Sequence, residues 1–83
     1  MKLVKFYADW CQPCKMLSKV MEKIEFPYPV EEVNIDKDNE TTMTYGIRGV
    51  PALLLIDENN NIVKRMSGYM DENKLKQELG LDN

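Results

Sequence analysis

Hydrophobic positions in the first third of the chain predict a strand followed by a helix. Residues 2–8 are rich in Val, Phe and Tyr and stop at Asp9, as is typical of a short strand. From Cys14 onward, apolar side chains recur three and four positions apart, which predicts an amphipathic helix. Its buried face would carry Leu17, Val20, Met21 and Ile24, and its solvent-facing side Lys15, Ser18, Lys19, Glu22 and Lys23. Pro27 and Pro29 cannot continue a helix, so a loop follows.

The rest of the chain contains three further strand patterns and two helix patterns. The predicted strands cover residues 30–35, 52–56 and 62–66, and the predicted helices cover 39–45 and the segment between Asp71 and Gly80. The 52–56 run is apolar throughout, as expected of a strand covered on both faces. Asp38 and Asp71 are predicted helix caps, and residues 57–61 a hairpin turn. The order β-α-β-α-β-β-α predicts an α/β fold with a four-stranded mixed sheet and three helices, whose first crossover is parallel and right-handed.

Composition restricts the classes of protein to which the chain can belong. Its 83 residues predict one domain, 1–83, and a hydrophobic share of 43% predicts a globular rather than a disordered chain. The net charge of −3 argues against a nucleic-acid partner. No apolar run approaches the roughly 20 residues of a membrane helix, and Lys5 and Asp9 interrupt any signal-peptide stretch. We therefore expect a cytoplasmic protein with no membrane association. We also expect it to be a monomer.

The only two cysteines, Cys11 and Cys14, lie two residues apart, where the first strand gives way to the first helix. A thiol pair at this spacing can form and open a small disulfide ring, which is the chemistry of thiol–disulfide exchange. The alternative is half of a zinc site, but that site needs two more ligands and the chain has no histidine and no further cysteine. The sequence therefore favours a redox pair, with no metal and no cofactor beyond the disulfide itself.

The position of the pair on the helix predicts different roles for its members. Cys11 lies at the predicted helix N-terminus, where unpaired N–H groups and the helix dipole favour a thiolate. We therefore assign Cys11 as the nucleophile and Cys14, one turn further, as the resolving thiol. Pro13 fits the first helical turn, where its missing N–H costs little, and stiffens the ring. Gln12 is expected to be exposed.

Several segments resemble the thioredoxin family, in the family's order and at near-family spacing. They are residues 6–15, 33–36 and 45–51, together with Gly68. The resemblance implies a minimal thioredoxin fold that lacks the N-terminal strand and helix of full-length thioredoxins. It also implies a protein-disulfide reductase that acts on oxidised protein substrates, ribonucleotide reductase being a typical family client, and that receives electrons from a thioredoxin reductase.

Two other functions remain open on the sequence alone. The short length and the segment 68–72 are also similar to glutaredoxins, which would make glutathione the electron donor, although the residues between the cysteines are not those common in glutaredoxins. A third reading is a redox-sensing accessory module that keeps the fold as a binding surface. Intact Cys11, Cys14 and Pro51 disfavour this third reading.

The resemblance also implies which residues contact the substrate. These are Trp10, Val50, Pro51 and Gly68. We expect the two residues between the cysteines to belong to the same surface, namely Pro13 and Gln12, which stands where the family usually has glycine. The Val50–Pro51 bond would be cis, leaving the Val50 backbone free to pair with an extended substrate segment, and Gly68 would let substrate backbone approach closely. The simpler alternatives are a partly buried aromatic at Trp10, a trans proline at a strand start and an ordinary turn at Gly68.

Lys5 and Glu32 depart from the family pattern. Thioredoxins typically have a buried aspartate where this chain has Lys5, paired with a lysine where it has Glu32. We hypothesise a reversed ion pair behind Cys14, in which Glu32 helps to accept the Cys14 proton and Lys5 favours thiolates electrostatically. The alternative is that both side chains extend to water.

Overall fold

The computed structural model describes residues 1–81 and contains seven elements in the predicted order. The strands are β1 (Lys2–Tyr7), β2 (Val30–Asn34), β3 (Ala52–Ile56) and β4 (Ile62–Ser67). The helices are α1 (Gln12–Met21), α2 (Asn39–Thr44) and α3 (Glu72–Leu79). The predicted α/β architecture is therefore confirmed. The assignment of 1–83 to one domain stays a prediction, and its residues 82 and 83 lie outside the described residues.

The strands form one four-stranded mixed sheet in the order β2-β1-β3-β4. β1 is parallel to β2 and antiparallel to β3, and β3 is antiparallel to β4. Since antiparallel neighbours run in opposite directions, the carboxyl ends of β1, β2 and β4 share one edge with the start of β3. That edge holds the Cys11–Cys14 segment, Pro51 and Gly68.

Apolar side chains cover the sheet on both faces. On the face towards α1 and α3 the core contains Leu3, Leu17, Leu53, Met66 and Leu75. On the face towards α2 it contains Val4, Phe6, Leu54 and Ile56. Every residue of β3 is buried, which confirms the prediction of a strand covered on both sides.

Helix α1 ends earlier than its apolar stripe predicts. The helix stops at Met21, whereas the stripe continues to Ile24. Ile24 is nevertheless buried, because its N–H donates to the Met21 carbonyl at 3.1 Å and this turn keeps its side chain on the core face. The predicted caps are confirmed, since Asp38 and Asp71 accept hydrogen bonds from N–H groups three residues on. Gly80 has the positive φ of 68° that favours glycine at a helix end.

Asp57 organises the turn between β3 and β4. Its Oδ1 accepts hydrogen bonds from the N–H groups of Asn59 and Asn61, both at 2.9 Å. The hydrogen bond from the Asn61 N–H is the largest effect on the Asp57 carboxyl and holds its pKa below the ordinary value of 3.8. Desolvation opposes this with an upward effect, and the hydrogen bond from the Asn59 N–H adds a further lowering. A carboxyl whose pKa is lowered by folding stabilises the protein above its unfolded pKa, and this contribution disappears as the pH falls through its folded pKa.

We expect Asp57→Asn to lower the free energy of unfolding at neutral pH and to weaken its decline in acid. The amide keeps an acceptor oxygen for the turn but removes the charge that the two N–H groups stabilise. Urea unfolding of both proteins at neutral pH and at several values below pH 3.8 measures the difference. The difference in free energy of unfolding between the two proteins should become smaller as the pH falls. A difference that does not change with pH would contradict a stabilising role of the Asp57 charge.

Candidate redox site

Cys11 and Cys14 form a disulfide, with their Cα atoms 5.3 Å apart. Both side chains are almost fully buried, with exposed fractions of 3% for Cys11 and 2% for Cys14. They pack with Ala8 and against Ile35 and Val50. The two residues are therefore buried to the same extent in the disulfide form, and their burial in this form does not distinguish them.

The start of helix α1 distinguishes the two cysteines. Cys11 is the N-cap residue with extended backbone angles, and Pro13 lies in the first turn. The Cys14 N–H donates to Cys11 Sγ at 3.1 Å. Free N–H groups and the positive end of the helix dipole thus converge on Cys11, which favours a thiolate there when the disulfide opens. The helix-start position predicted for Cys11 is confirmed.

Trp10 provides an exposed aromatic surface beside the disulfide. Its side chain is 69% exposed, yet its Nε1 donates to Asp36 Oδ2 at 2.9 Å, which fixes one edge of the ring. Gln12 and Pro13 are exposed as well, and for Gln12 this was predicted. The simpler alternative of a partly buried Trp10 is wrong. A large exposed aromatic next to a reactive centre is a suitable docking surface.

Val50, Pro51 and Gly68 lie together at the edge of the sheet that also holds the Cys11–Cys14 segment. The Val50–Pro51 peptide bond is cis, as the family resemblance implied. Pro51 is buried, and Val50 packs against the cluster formed by Ala8, Cys11 and Cys14. The Gly68 N–H donates to the Pro51 carbonyl at 2.9 Å. Gly68 has a φ of 84°, and no atom lies within 4 Å of where a side chain would begin, so an approaching chain meets open space there.

Lys5 is a buried cation on strand β1, with only 2% of its side chain exposed. Its Nζ donates a hydrogen bond to Ser18 Oγ, lies 3.7 Å from Glu32 Oε2 and stands 5.6 Å from the centre of the Tyr7 ring. Glu32 is paired in register with Lys5 but is 56% exposed. The alternative in which both side chains extend to water therefore fails for Lys5 and holds only for Glu32.

A cavity of about 350 Å³ connects Lys5 with Cys14. Its lining residues are Lys5, Tyr7, Ala8, Asp9, Cys14, Lys15 and Ser18. Cys14 and Ser18 are four residues apart on α1 and so share one helix face. Glu32 does not line this cavity. The sequence pattern predicted that Ser18 faces solvent, and this was wrong, because Ser18 is half-buried and accepts a hydrogen bond from Lys5. The spacing of four residues between Cys14 and Ser18 could have indicated that both lie on the buried side of α1.

Among residues 1–81, no group of three or more His, Cys, Asp and Glu side chains is arranged to hold a metal ion. No helix within the same range is long and apolar enough to cross a membrane.

Comparison with known proteins places this geometry among thioredoxins. The thioredoxin family model matches residues 1–80. A thioredoxin of Buchnera aphidicola subsp. Baizongia pistaciae is 42% identical, with 95% of this chain and 75% of that protein covered. A thioredoxin of Alicyclobacillus acidocaldarius is 35% identical, with 93% and 76% covered. The solved structure of a mutant thioredoxin from Halobacterium salinarum matches with a TM-score of 0.83 at 37% identity, covering 92% of this chain and 68% of that chain.

Proposed function

The chain belongs to the thioredoxin family and is a protein thiol–disulfide oxidoreductase, and we propose that Cys11 is its nucleophile and Cys14 its resolving thiol. The observation that carries this assignment is the place of Cys11 as N-cap of α1, with the Cys14 N–H directed at its sulfur. The glutaredoxin alternative is not favoured, because the family and its relatives are thioredoxins.

The proposed reaction passes two electrons to the substrate in two exchange steps. The Cys11 thiolate attacks one sulfur of a substrate disulfide, and the other substrate sulfur leaves as a thiolate that takes up a proton. Cys14 then loses its proton and attacks Cys11 Sγ in the mixed disulfide. The second substrate sulfur leaves, the Cys11–Cys14 disulfide forms and the substrate is a dithiol.

We propose that the substrate docks as an extended segment along Val50. Within residues 1–81 the Val50 N–H and C=O form no backbone hydrogen bond, so both are available to pair with another chain. Trp10, Gln12 and Pro13 would flank the segment on one side, and Pro51 and Gly68 on the other. Oxidised proteins are the substrate class that such backbone pairing suits.

We further propose a monomer located in the cytoplasm, regenerated by a thioredoxin reductase, with ribonucleotide reductase among its clients. The support for the location is chemical, since a reducing compartment keeps Cys11 and Cys14 available as thiols between turnovers. No cofactor is needed, because the dithiol supplies both electrons to the substrate.

For the resolving step we propose that Lys5 acts on Cys14 through its charge. The buried ammonium group and Cys14 line the same cavity, where a positive charge favours the thiolate over the thiol. Glu32, on the neighbouring strand, would hold Lys5 in place rather than touch Cys14. The competing hypothesis, in which Glu32 accepts the Cys14 proton through water, predicts instead that loss of the Glu32 carboxylate slows the resolving step.

Trapping of mixed disulfides tests the proposed function directly. The Cys14→Ser variant should retain a disulfide-bonded partner on Cys11 when mixed with oxidised insulin or a cell extract, because no resolving thiol remains. The adduct should appear on a non-reducing gel and vanish on reduction. The double variant Cys11→Ser/Cys14→Ser is the matched control and should trap nothing. Absence of any adduct on Cys14→Ser, together with no insulin reduction by the wild type, would refute the proposal.

A further inference from the structure

Both arginines of the chain line one groove beside the redox site. This groove, called the arginine groove below, encloses about 530 Å³. It is lined by Arg48 and Arg65 together with Gly46, Ile47, Gly49, Val50, Pro51, Ala52, Leu54, Met66, Ser67 and Gly68. None of the aspartate or glutamate side chains among residues 1–81 lines it, although the full chain has 14 acidic and 11 basic residues. The charge of the groove is thus opposite to the net charge of the chain.

The two guanidinium groups are not neutralised within the described part of the chain. Neither arginine lies within ion-pair distance of a carboxylate, whereas Lys2, Lys5, Lys64, Lys74 and Lys76 each do. Arg65 Nη2 donates to the Tyr45 carbonyl at 3.1 Å, which anchors the group and uses one of its five N–H donors. The remaining donors form a planar fork that matches the two oxygens of a carboxylate.

The arginine groove is continuous with the proposed docking segment. Val50, Pro51 and Gly68 belong to both. Arg65 reaches it from β4, where it is paired in register with Leu54 of β3. Asp9 and Asp36 follow β1 and β2, on the opposite side of the sheet order. The two arginines and the two aspartates therefore lie on opposite sides of a substrate segment seated at Val50.

We propose that the arginine groove binds aspartate or glutamate side chains of the oxidised protein, near the disulfide that Cys11 attacks. This inference rests on the proposed reductase function and specifies its substrate class. Carboxylates fit because the groove offers two positive forks, no competing acid, and open space at Gly46, Gly49 and Gly68, where no atom lies within 4 Å of an added Cβ. The same charge pattern disfavours substrates that carry lysine or arginine at these positions.

Three disulfide peptides that differ only beside the attacked cysteine test the proposal. They carry two glutamates, two glutamines or two lysines, and the kcat/KM of their reduction is measured at low and high salt. We expect the wild type to prefer the glutamate peptide over the glutamine peptide by about fivefold at low salt, and the lysine peptide to be the poorest substrate. High salt should reduce the preference, because it screens exposed charges.

Substitutions of the two arginines then test whether the arginine groove causes the preference for the glutamate peptide. Arg48→Gln/Arg65→Gln should bring the glutamate-to-glutamine ratio close to one, and Arg65→Lys should leave an intermediate ratio because it keeps the charge but not the fork. Lys23→Gln is the matched control, since it removes an exposed lysine in the turn after α1 without touching the groove. This variant should keep the wild-type ratio.

The outcomes separate this proposal from the reductase function itself. A wild type that reduces all three peptides equally, or a double variant that keeps the full preference, would overturn the arginine groove and leave the reductase intact. A wild type that reduces none of them would refute the reductase function. If the double variant does not fold, as judged by circular dichroism, Arg48→Gln and the salt dependence of the wild type still decide the question.

Discussion

Replacing Cys11 with serine is expected to lower the rate of insulin reduction by more than about a thousandfold, because a hydroxyl is not ionised near neutral pH and cannot exchange with a disulfide. Cys14 cannot take over this role. It is as buried as Cys11, with 2% against 3% exposed, but it lies inside the helix, where its own N–H already points to Cys11 Sγ. We infer that charge stabilisation at the helix start, rather than a difference in burial within the oxidised pair, selects the nucleophile.

Alkylation of the reduced protein with iodoacetamide over a range of pH measures this selection. Wild type and Cys14→Ser should react at Cys11 first, at a pH below the ordinary thiol pKa of about 8.5. Cys11→Ser should react only slowly at Cys14. If Cys11→Ser instead retained insulin reduction and fast alkylation, the assignment of nucleophile and resolving thiol would have to be exchanged.

The succession of elements could be predicted from the sequence because each carries a local signal. The apolar run of β3, the prolines after α1 and the capping aspartates before α2 and α3 all act within a few residues. The end of α1 was misplaced for a physical reason. A tight turn with i to i−3 hydrogen bonds places Ile24 on the same side as a further helical turn would, so periodicity does not distinguish them.

The reactive pair and the cis proline could be predicted because a motif or a family resemblance points to them. The surroundings of Lys5 could not, because spacing does not determine whether a long side chain extends to water or folds back. The Lys5 side chain stays inside because its Nζ donates to Ser18 Oγ and lies over the Tyr7 ring, and both contacts depend on the folded structure. Arg48 and Arg65 are equally inconspicuous along the chain, since only the pairing of β3 with β4 brings them to one groove.

Replacing Lys5 with methionine is expected to stabilise the protein by about 1–3 kcal/mol and to slow the resolving step about tenfold. Burying an ammonium group costs free energy, and the ion pair with Glu32 at 3.7 Å compensates for only part of it, because Glu32 is 56% exposed. Methionine fills a similar volume without this cost. We propose that Lys5 is nevertheless present because its charge favours the Cys14 thiolate and so speeds the resolving step. The protein would then have a lower folding stability in exchange for a higher activity.

Two variants on the same pair separate the charge mechanism from proton acceptance by Glu32. The pKa of Cys14 is measured with Cys11 blocked by methylation, so that only one thiol titrates. Lys5→Met should raise this pKa, because it removes the buried positive charge that favours the thiolate. Tyr7, Asp9 and Lys15 would remain as the titratable side chains that line the cavity, and Glu32 would remain outside it on the neighbouring strand.

Glu32→Gln should leave the Cys14 pKa unchanged or lower it, because it removes a negative charge beside Lys5. If Glu32 were the proton acceptor, Glu32→Gln would instead slow resolution as much as Lys5→Met does. Lys19→Met, an exposed lysine on the outer side of α1, is the matched control and should change neither stability nor the Cys14 pKa. A Lys5→Met protein that is less stable than the wild type would contradict the burial cost, and an unchanged Cys14 pKa would contradict the charge mechanism.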